Sequence, residues 1–232
     1  MTRAAAFSIA LLLLFAAPAA AARPVVVELY TSEGCSSCPP ADALLAELAT
    51  RPGVLALSFD VDYWDRLGWK DPFSSAAATA RQRDYARLLG VNTVYTPQIV
   101  VDGHWQVIGS DRDKVGQAIA AARSATVAAV PVSLALDHGR ARVAIAAAGT
   151  TGSIVLIGFD RRHVDAVRGG ENTGRILTHV NVVRGIAEIG RFDGKATTIE
   201  APIGWHSDRL AVLVEAADGH ILGAAVADIA PL

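Results

Sequence analysis

Residues 24–49, PVVVELYTSEGCSSCPPADALLAELA, decide how the rest of the chain is read. Residues 24–30 (PVVVELY) form a run of β-branched and large apolar side chains, the pattern of a buried strand. Residues 41–49 place Leu44, Leu45 and Leu48 on one helical face, with Asp42 and Glu47 off it. Both cysteines of the 232-residue chain lie between them, in Cys35-Ser36-Ser37-Cys38. That position is a helix entrance, where unpaired N–H groups and the positive dipole end favour a thiolate, the species that attacks in disulfide exchange. The spacing brings Cys38 round one turn, close enough to resolve a mixed disulfide formed at Cys35. Pro39-Pro40 costs little in a first turn, whose N–H groups have no helical partner. Taken alone, the motif has three readings: a redox dithiol, half of a metal site, or an inert short-loop disulfide.

Working outward, residues 54–60 (VLALSFD) are a second strand. Residues 74–89 form an alanine-rich helix stopped by Gly90, and residues 98–101 and 105–108 flank the turn Asp102-Gly103-His104. Ser110-x-x-Asp113 resembles a capping box opening a last helix with Val115, Ile119 and Ala122 on its face. The order is β-α-β-α-β-β-α, an α/β domain over residues 23–125. Beyond a soft boundary at 124–129 the helical rhythm stops. Apolar or alternating runs at 132–136, 142–146, 154–159, 175–183, 197–201, 210–214 and 221–226, separated by Gly- and Asp-rich turns, predict an all-β sandwich-like domain over 126–232.

Composition narrows the class. A 52% hydrophobic content excludes intrinsic disorder. A formal charge of −2, from 21 basic and 23 acidic residues, argues against nucleic-acid binding. Residues 1–22 carry Arg3, an apolar stretch over 4–17, Pro18 and the small-residue run Ala20-Ala21-Ala22, and read as a secretory signal cleaved after Ala20 or Ala22. An uncleaved anchor is the alternative. No later stretch is apolar enough to span a membrane, so the expected product is secreted or periplasmic, where disulfides persist.

Thr96-Pro97 stands immediately before the strand at 98–101, where a cis-proline loop would pack beside a CxxC helix terminus. About 5–6% of X-Pro bonds in folded proteins are cis, so the isomer is inferred from context. Val27-Glu28-Leu29-Tyr30, Cys35-Ser36-Ser37-Cys38-Pro39 and Thr96-Pro97 together resemble the thioredoxin superfamily. More closely, residues 24–232 resemble the secreted bacterial thioredoxin-like proteins known as domain of unknown function 1223. Thr31-Ser32-Glu33-Gly34, Val61-Asp62-Tyr63-Trp64-Asp65, Leu67-Gly68-Trp69-Lys70-Asp71, Tyr95-Thr96-Pro97-Gln98, Glu171-Asn172 and His179-Val180-Asn181 carry that likeness.

The resemblance implies a thioredoxin-like fold for the first domain. Cys35 would be the nucleophile, Cys38 the resolving thiol, Pro97 the cis-proline facing them, and Thr96 a backbone partner for an extended substrate. Glu28 falls near the buried acid that helps deprotonate the second cysteine in thioredoxins, although one extra residue separates it from the first. Ser36-Ser37 replaces the usual Gly-Pro and no tryptophan precedes Cys35, which leaves redox potential and partner preference open.

Other features carry two readings each. Glu28 is either that acid or an ion-paired carboxylate. Tyr63, Trp64 and Trp69 form a substrate lip or plug the loop into the second domain. Residues 168–175 (RGGENTGR) are a ligand loop or a set of tight turns. His104 reads as a solvent-exposed turn residue rather than a metal ligand, and the pair His179 and Asn181 as cross-strand hydrogen-bonding groups. The leading expectation is an extracytoplasmic thiol–disulfide oxidoreductase acting on a protein thiol or disulfide or a small thiol, with no cofactor or metal beyond its own dithiol. It requires both sulfurs to be reachable. A non-enzymatic binding module with a structural disulfide, and a Cu(I) carrier using the two thiolates and His104, are the alternatives.

Overall fold

Strand β1 (Val25–Thr31) is buried at every position, because both of its faces are covered. In the computed structural model, which describes residues 23–137 and 139–229, Val27 and Leu29 pack against α1 (Pro39–Ala49), while Val26 and Tyr30 face the other side with Phe59. The expected signal segment, residues 1–22, lies outside the described residues. Strand β2 (Val54–Asp60) runs parallel to β1, Val25 opposite Val54 and Thr31 opposite Asp60. On the other flank β3 (Gln98–Val101) is antiparallel to β1 and forms a hairpin with β4 (Trp105–Ile108). A 3-10 turn, Asp62–Leu67, leads to α2 (Ala76–Leu88), and α3 (Arg112–Ser124) follows β4. The cap of α3 is Asp111, whose carboxylate accepts from the Lys114 N–H at 3.1 Å, rather than Ser110 as the capping-box pattern suggested. A carboxylate there also meets the positive helix end.

The second half contributes β5 (Val132–Asp137), β6 (Arg140–Ile145), β7 (Gly152–Ala166), β8 (Ile176–Phe192), β9 (Thr197–Pro202), β10 (Arg209–Glu215) and β11 (Ile221–Asp228). It does not stand apart from the first. One eight-stranded sheet, ordered β11-β10-β7-β8-β2-β1-β3-β4, runs through both halves, with β8 joined to β2 at Ser58 and Val182. The three-stranded sheet β5-β6-β9 packs on the other face of the β7–β10–β11 end, around Val143, Ile145, Leu156, Leu210 and Val212. One core contains Tyr30, Leu57 and Phe59 from the first half together with Ile157, Phe159 and Leu213 from the second, roofed by Ala78 and Tyr85 of α2. The division at residues 124–129 is therefore a change of rhythm along the chain and not a gap in the packing.

Strands β7 and β8 are far longer than the apolar runs at 154–159 and 175–183 that announced them. The far end of β7 (DRRHVDA) is rich in charge because, paired with the start of β8, it projects past β10, which pairs with β7 only as far as Phe159, so apolar patterning does not mark it; the end of β8 (EIGRF) lies at the opposite end of the hairpin, paired with the start of β7. That projecting hairpin crosses to the N-terminal end of α1.

Candidate functional site

Cys38 is the N-cap of α1, with Pro39 and Pro40 in the first turn and the Asp42 N–H donating to the Cys38 carbonyl at 3.1 Å. Cys35 is disulfide-bonded to Cys38. The 35-to-38 turn is closed by the Cys38 N–H on the Cys35 carbonyl, and Ser37 Oγ lies 3.3 Å from Cys35 Sγ. The Thr96–Pro97 peptide is cis. Pro97 stands beside the first turn of α1: a side chain on Gly109 would meet both the Pro97 and the Ala41 Cβ at 3.2 Å. The indole N–H of Trp64 donates to Thr96 Oγ1 at 2.9 Å, which ties the 3-10 turn to this loop.

Both cysteines are fully buried, against the expectation that they would be reachable. The cover is residues 167–175, the tip of the β7–β8 hairpin. Asn172 Nδ2 donates to the carbonyls of Glu33 (2.9 Å) and Cys35 (2.8 Å), and Arg175 holds the Asn172 side-chain oxygen at 2.9 Å. Glu171 accepts from both the N–H and the hydroxyl of Ser36, at 3.0 and 2.7 Å, and these donors hold its carboxyl below the usual range. Gly170, at φ +70°, lies so close that a Cβ there would stand 3.4 Å from the Gly34 Cα and 3.3 Å from the Trp69 Cβ. The run at 168–175 thus takes a third role that neither a ligand loop nor a plain turn describes: it is a strap over the disulfide.

Glu28 does not serve the dithiol. Strand alternation puts it on the β1 face opposite α1, with Val26 and Tyr30. Arg81 of α2 grips it in a bidentate pair at 2.6 and 2.8 Å, and the hydroxyls of Tyr85 and Tyr30 donate to it at 2.8 and 3.0 Å. Arg81 also pairs with Glu215 of β10 at 2.6 Å. The ion-paired reading of Glu28 is the one realised.

The ionisable groups near the disulfide are others. Glu33, two residues before Cys35, accepts from Trp69 Nε1 at 2.7 Å and pairs with His179 Nε2 of β8 at 3.1 Å. Asp42, one turn beyond Cys38, accepts from Thr31 Oγ1 at 2.8 Å, and burial raises its pKa to about 6 against the opposing pull of His179. Asp71 accepts from the backbone N–H groups of Glu33 and Phe73, and Asp60 ends β2. Burial raises the pKa of both, that of Asp60 strongly. Burial alone would lower the His179 pKa, but the Glu33 hydrogen bond and the charges of Asp60, Asp42 and Glu33 prevail and raise it to about 9. Among the described residues, His179 Nδ1 and Asp60 Oδ1 are buried without a hydrogen-bond partner. The sequence hint was parity: Leu29, one residue after Glu28, is the position that faces α1, and Asp42 is the buried acid on that helix.

The aromatic loop plugs rather than lines an opening. Trp69 is held by Glu33 and packs against Gly169 and Gly170, and Tyr63 and Trp64 join the shared core. His104 is exposed and stacks on His220, ring centroids 4.1 Å apart. It lies beyond the far end of β3, a strand about 13 Å long whose near end, Gln98, follows Pro97, so it is not a ligand beside the sulfurs. Asn181, at φ +49°, donates to the Ala56 carbonyl at 2.8 Å and so ties β8 to β2. Among the described residues no group of three or more His, Cys, Asp or Glu side chains is placed to hold a metal ion, and no helix is long and apolar enough to cross a membrane.

No curated protein matches the chain. A crystal structure of an Agrobacterium tumefaciens protein is similar at 32% identity and a TM-score of 0.78, covering 91% of this chain and 97% of that one. HBP35 of Porphyromonas gingivalis is similar at 15% identity and a TM-score of 0.61, over 89% of this chain and 75% of that one, a likeness of fold alone. The family model described as protein of unknown function (DUF1223) matches residues 26–215. The chain therefore belongs to the DUF1223 family.

Proposed function

We propose that the chain is an extracytoplasmic thiol–disulfide oxidoreductase with a thioredoxin-like first half, whose dithiol works once the strap at 167–175 has moved aside. The observation that carries the reading is a disulfide at a helix entrance whose surroundings are ionisable groups far from their ordinary pKa, the kind of clustering that marks reactive sites. A purely structural role gains little from this bond. It closes a four-residue loop, which by the chain-entropy estimate stabilises by about 2 kcal/mol. The strap is tied by polar contacts and has few apolar anchors. Val167 and Asn172 are its buried residues while 168, 171 and 173–175 are exposed, and segments with few apolar anchors open at low free-energy cost.

In the forward step a partner thiolate attacks Cys35 Sγ. The Cys35–Cys38 bond breaks, a mixed disulfide forms, and Cys38 leaves as a thiolate; a second partner thiol then releases Cys35, and the partner is oxidised by two electrons. A protein dithiol or a small thiol fills the partner role. The test is trapping. Cys38→Ser incubated with cell-envelope extract is expected to accumulate mixed disulfides that reductant releases, while Cys35→Ser accumulates few. No capture by Cys38→Ser, with or without Asn172→Ala to loosen the strap, overturns the proposal.

Full burial of both sulfurs favours a second reading, a binding module with a permanently closed disulfide. In that case the bond resists dithiothreitol in the folded protein, even with Asn172→Ala.

A further inference from the structure

Opening the disulfide creates a negative charge two residues from Glu33 and one turn from Asp42, members of a cluster of four buried carboxyl groups. Glu33 comes from the loop before Cys35, Asp42 from the dithiol's own helix, Asp60 from the end of β2, and Asp71 from the segment before α2; all four are buried. Against them stands one imidazole. His179 is 2% exposed, paired with Glu33 at 3.1 Å, and its second ring nitrogen is unpartnered. The other groups packed against it do not take its place. Across the β7–β8 ladder His163 is its register partner, but that ring is engaged by Asp160 at 2.8 Å. Phe73 lies against both histidines, and Arg184 stacks over Phe73 while reaching Asp160.

We infer that His179, carried to the site by the second half of the chain, is a positioning residue for the dithiol: as an imidazolium held on Glu33, it offsets the charge that appears on Cys38 when the disulfide opens. This deepens the oxidoreductase reading and rests on it. The balance of the step is the one given above. A dithiol reductant supplies both electrons, the S–S bond breaks, Cys38 leaves with the electron pair, and no proton need move while His179 is charged. A charge in a desolvated site acts at low effective dielectric, so its removal is felt over several ångströms. The pKa of about 9 keeps the ring charged over the neutral range. The arrangement also gives the β-rich half a task at the site beyond covering it.

The experiment follows reduction of the full-length oxidised protein by dithiothreitol from pH 6 to 10, with each rate divided by the concentration of attacking thiolate. The wild-type rate is expected to be level below pH 8 and to fall about tenfold as pH passes 9. His179→Asn is expected to react about tenfold more slowly at pH 7 and to lack the fall, while His179→Lys keeps most of the neutral rate. Equal rates and profiles for wild type and His179→Asn overturn the inference and leave the oxidoreductase reading standing. Should His179→Asn fail to fold, the wild-type profile decides alone, and a level rate through pH 9 overturns the inference. A wild-type protein and an Asn172→Ala variant that both resist dithiothreitol at every pH overturn the oxidoreductase reading itself.

Discussion

Two buried acid networks lie on opposite faces of β1, and they are built on different terms. On the α2 face, Glu28 and Glu215 share Arg81, and Tyr30 and Tyr85 occupy the remaining positions on Glu28. On the α1 face, Glu33, Asp42, Asp60 and Asp71 face one histidine, and one atom of Asp60 and one of His179 go unpaired among the described residues. The first network is saturated and spans both halves of the chain, so its work is to hold them together. The second is short of both cations and donors, and there burial and charge move Asp42, Asp60, Asp71 and His179 away from their ordinary pKa values.

The contrast is broken most directly at Arg81. Arg81→Met leaves Glu28 and Glu215 buried without a cation, and urea unfolding is expected to show a loss of about 3–5 kcal/mol. A loss below about 1 kcal/mol removes the claim that this network clasps the halves.

On the other face the effects depend on pH. The folded His179 pKa, about 9, lies above its ordinary 6.5, so its contribution is complete below pH 6.5 and lost as pH rises through 9. Asp42, raised from 3.8 to about 6, favours the folded state fully below pH 3.8 and loses that advantage as pH rises through 6. Stability relative to His179→Asn should therefore decline between pH 6.5 and 9, and relative to Asp42→Asn between pH 3.8 and 6. Each decline is on the order of 3 kcal/mol at most. Urea midpoints measured at pH 4, 6, 7 and 9 check both, and differences that do not vary with pH contradict these shifts.

Smaller effects sharpen the comparison. Replacing both cysteines by serine is expected to cost about 2 kcal/mol in the same unfolding experiment, because the ring is so short. A much larger loss favours the structural reading of the disulfide. Asn172→Ala is expected to cost about 1 kcal/mol and to speed reduction by dithiothreitol about tenfold. An unchanged reduction rate means that the strap does not control access.

What the sequence conveys tracks how local the cause is. The strand–CxxC–helix unit and the Thr96–Pro97 loop are legible because each rests on neighbouring residues. Glu28 carries two readings because its spacing to Cys35 suggests one role while parity along the strand, which decides the face a side chain joins, assigns the other. The cover over the sulfurs is not legible at all: Asn172 reaches Cys35 across 137 positions of chain, and nothing near the motif signals it. The far end of β7 escapes notice for a related reason, since its charged residues on a projecting hairpin carry no apolar rhythm.

The helix α2 that roofs both halves has a consequence for anyone who would divide the protein. Severing the chain near residue 125 would strip Tyr30, Phe59 and Tyr85 of the side chains they pack against and bare the flank of β2 that β8 now covers. An uncovered flank of that kind recruits strands from other molecules. Each fragment should therefore be recovered as aggregate, and the two should become soluble only when produced together.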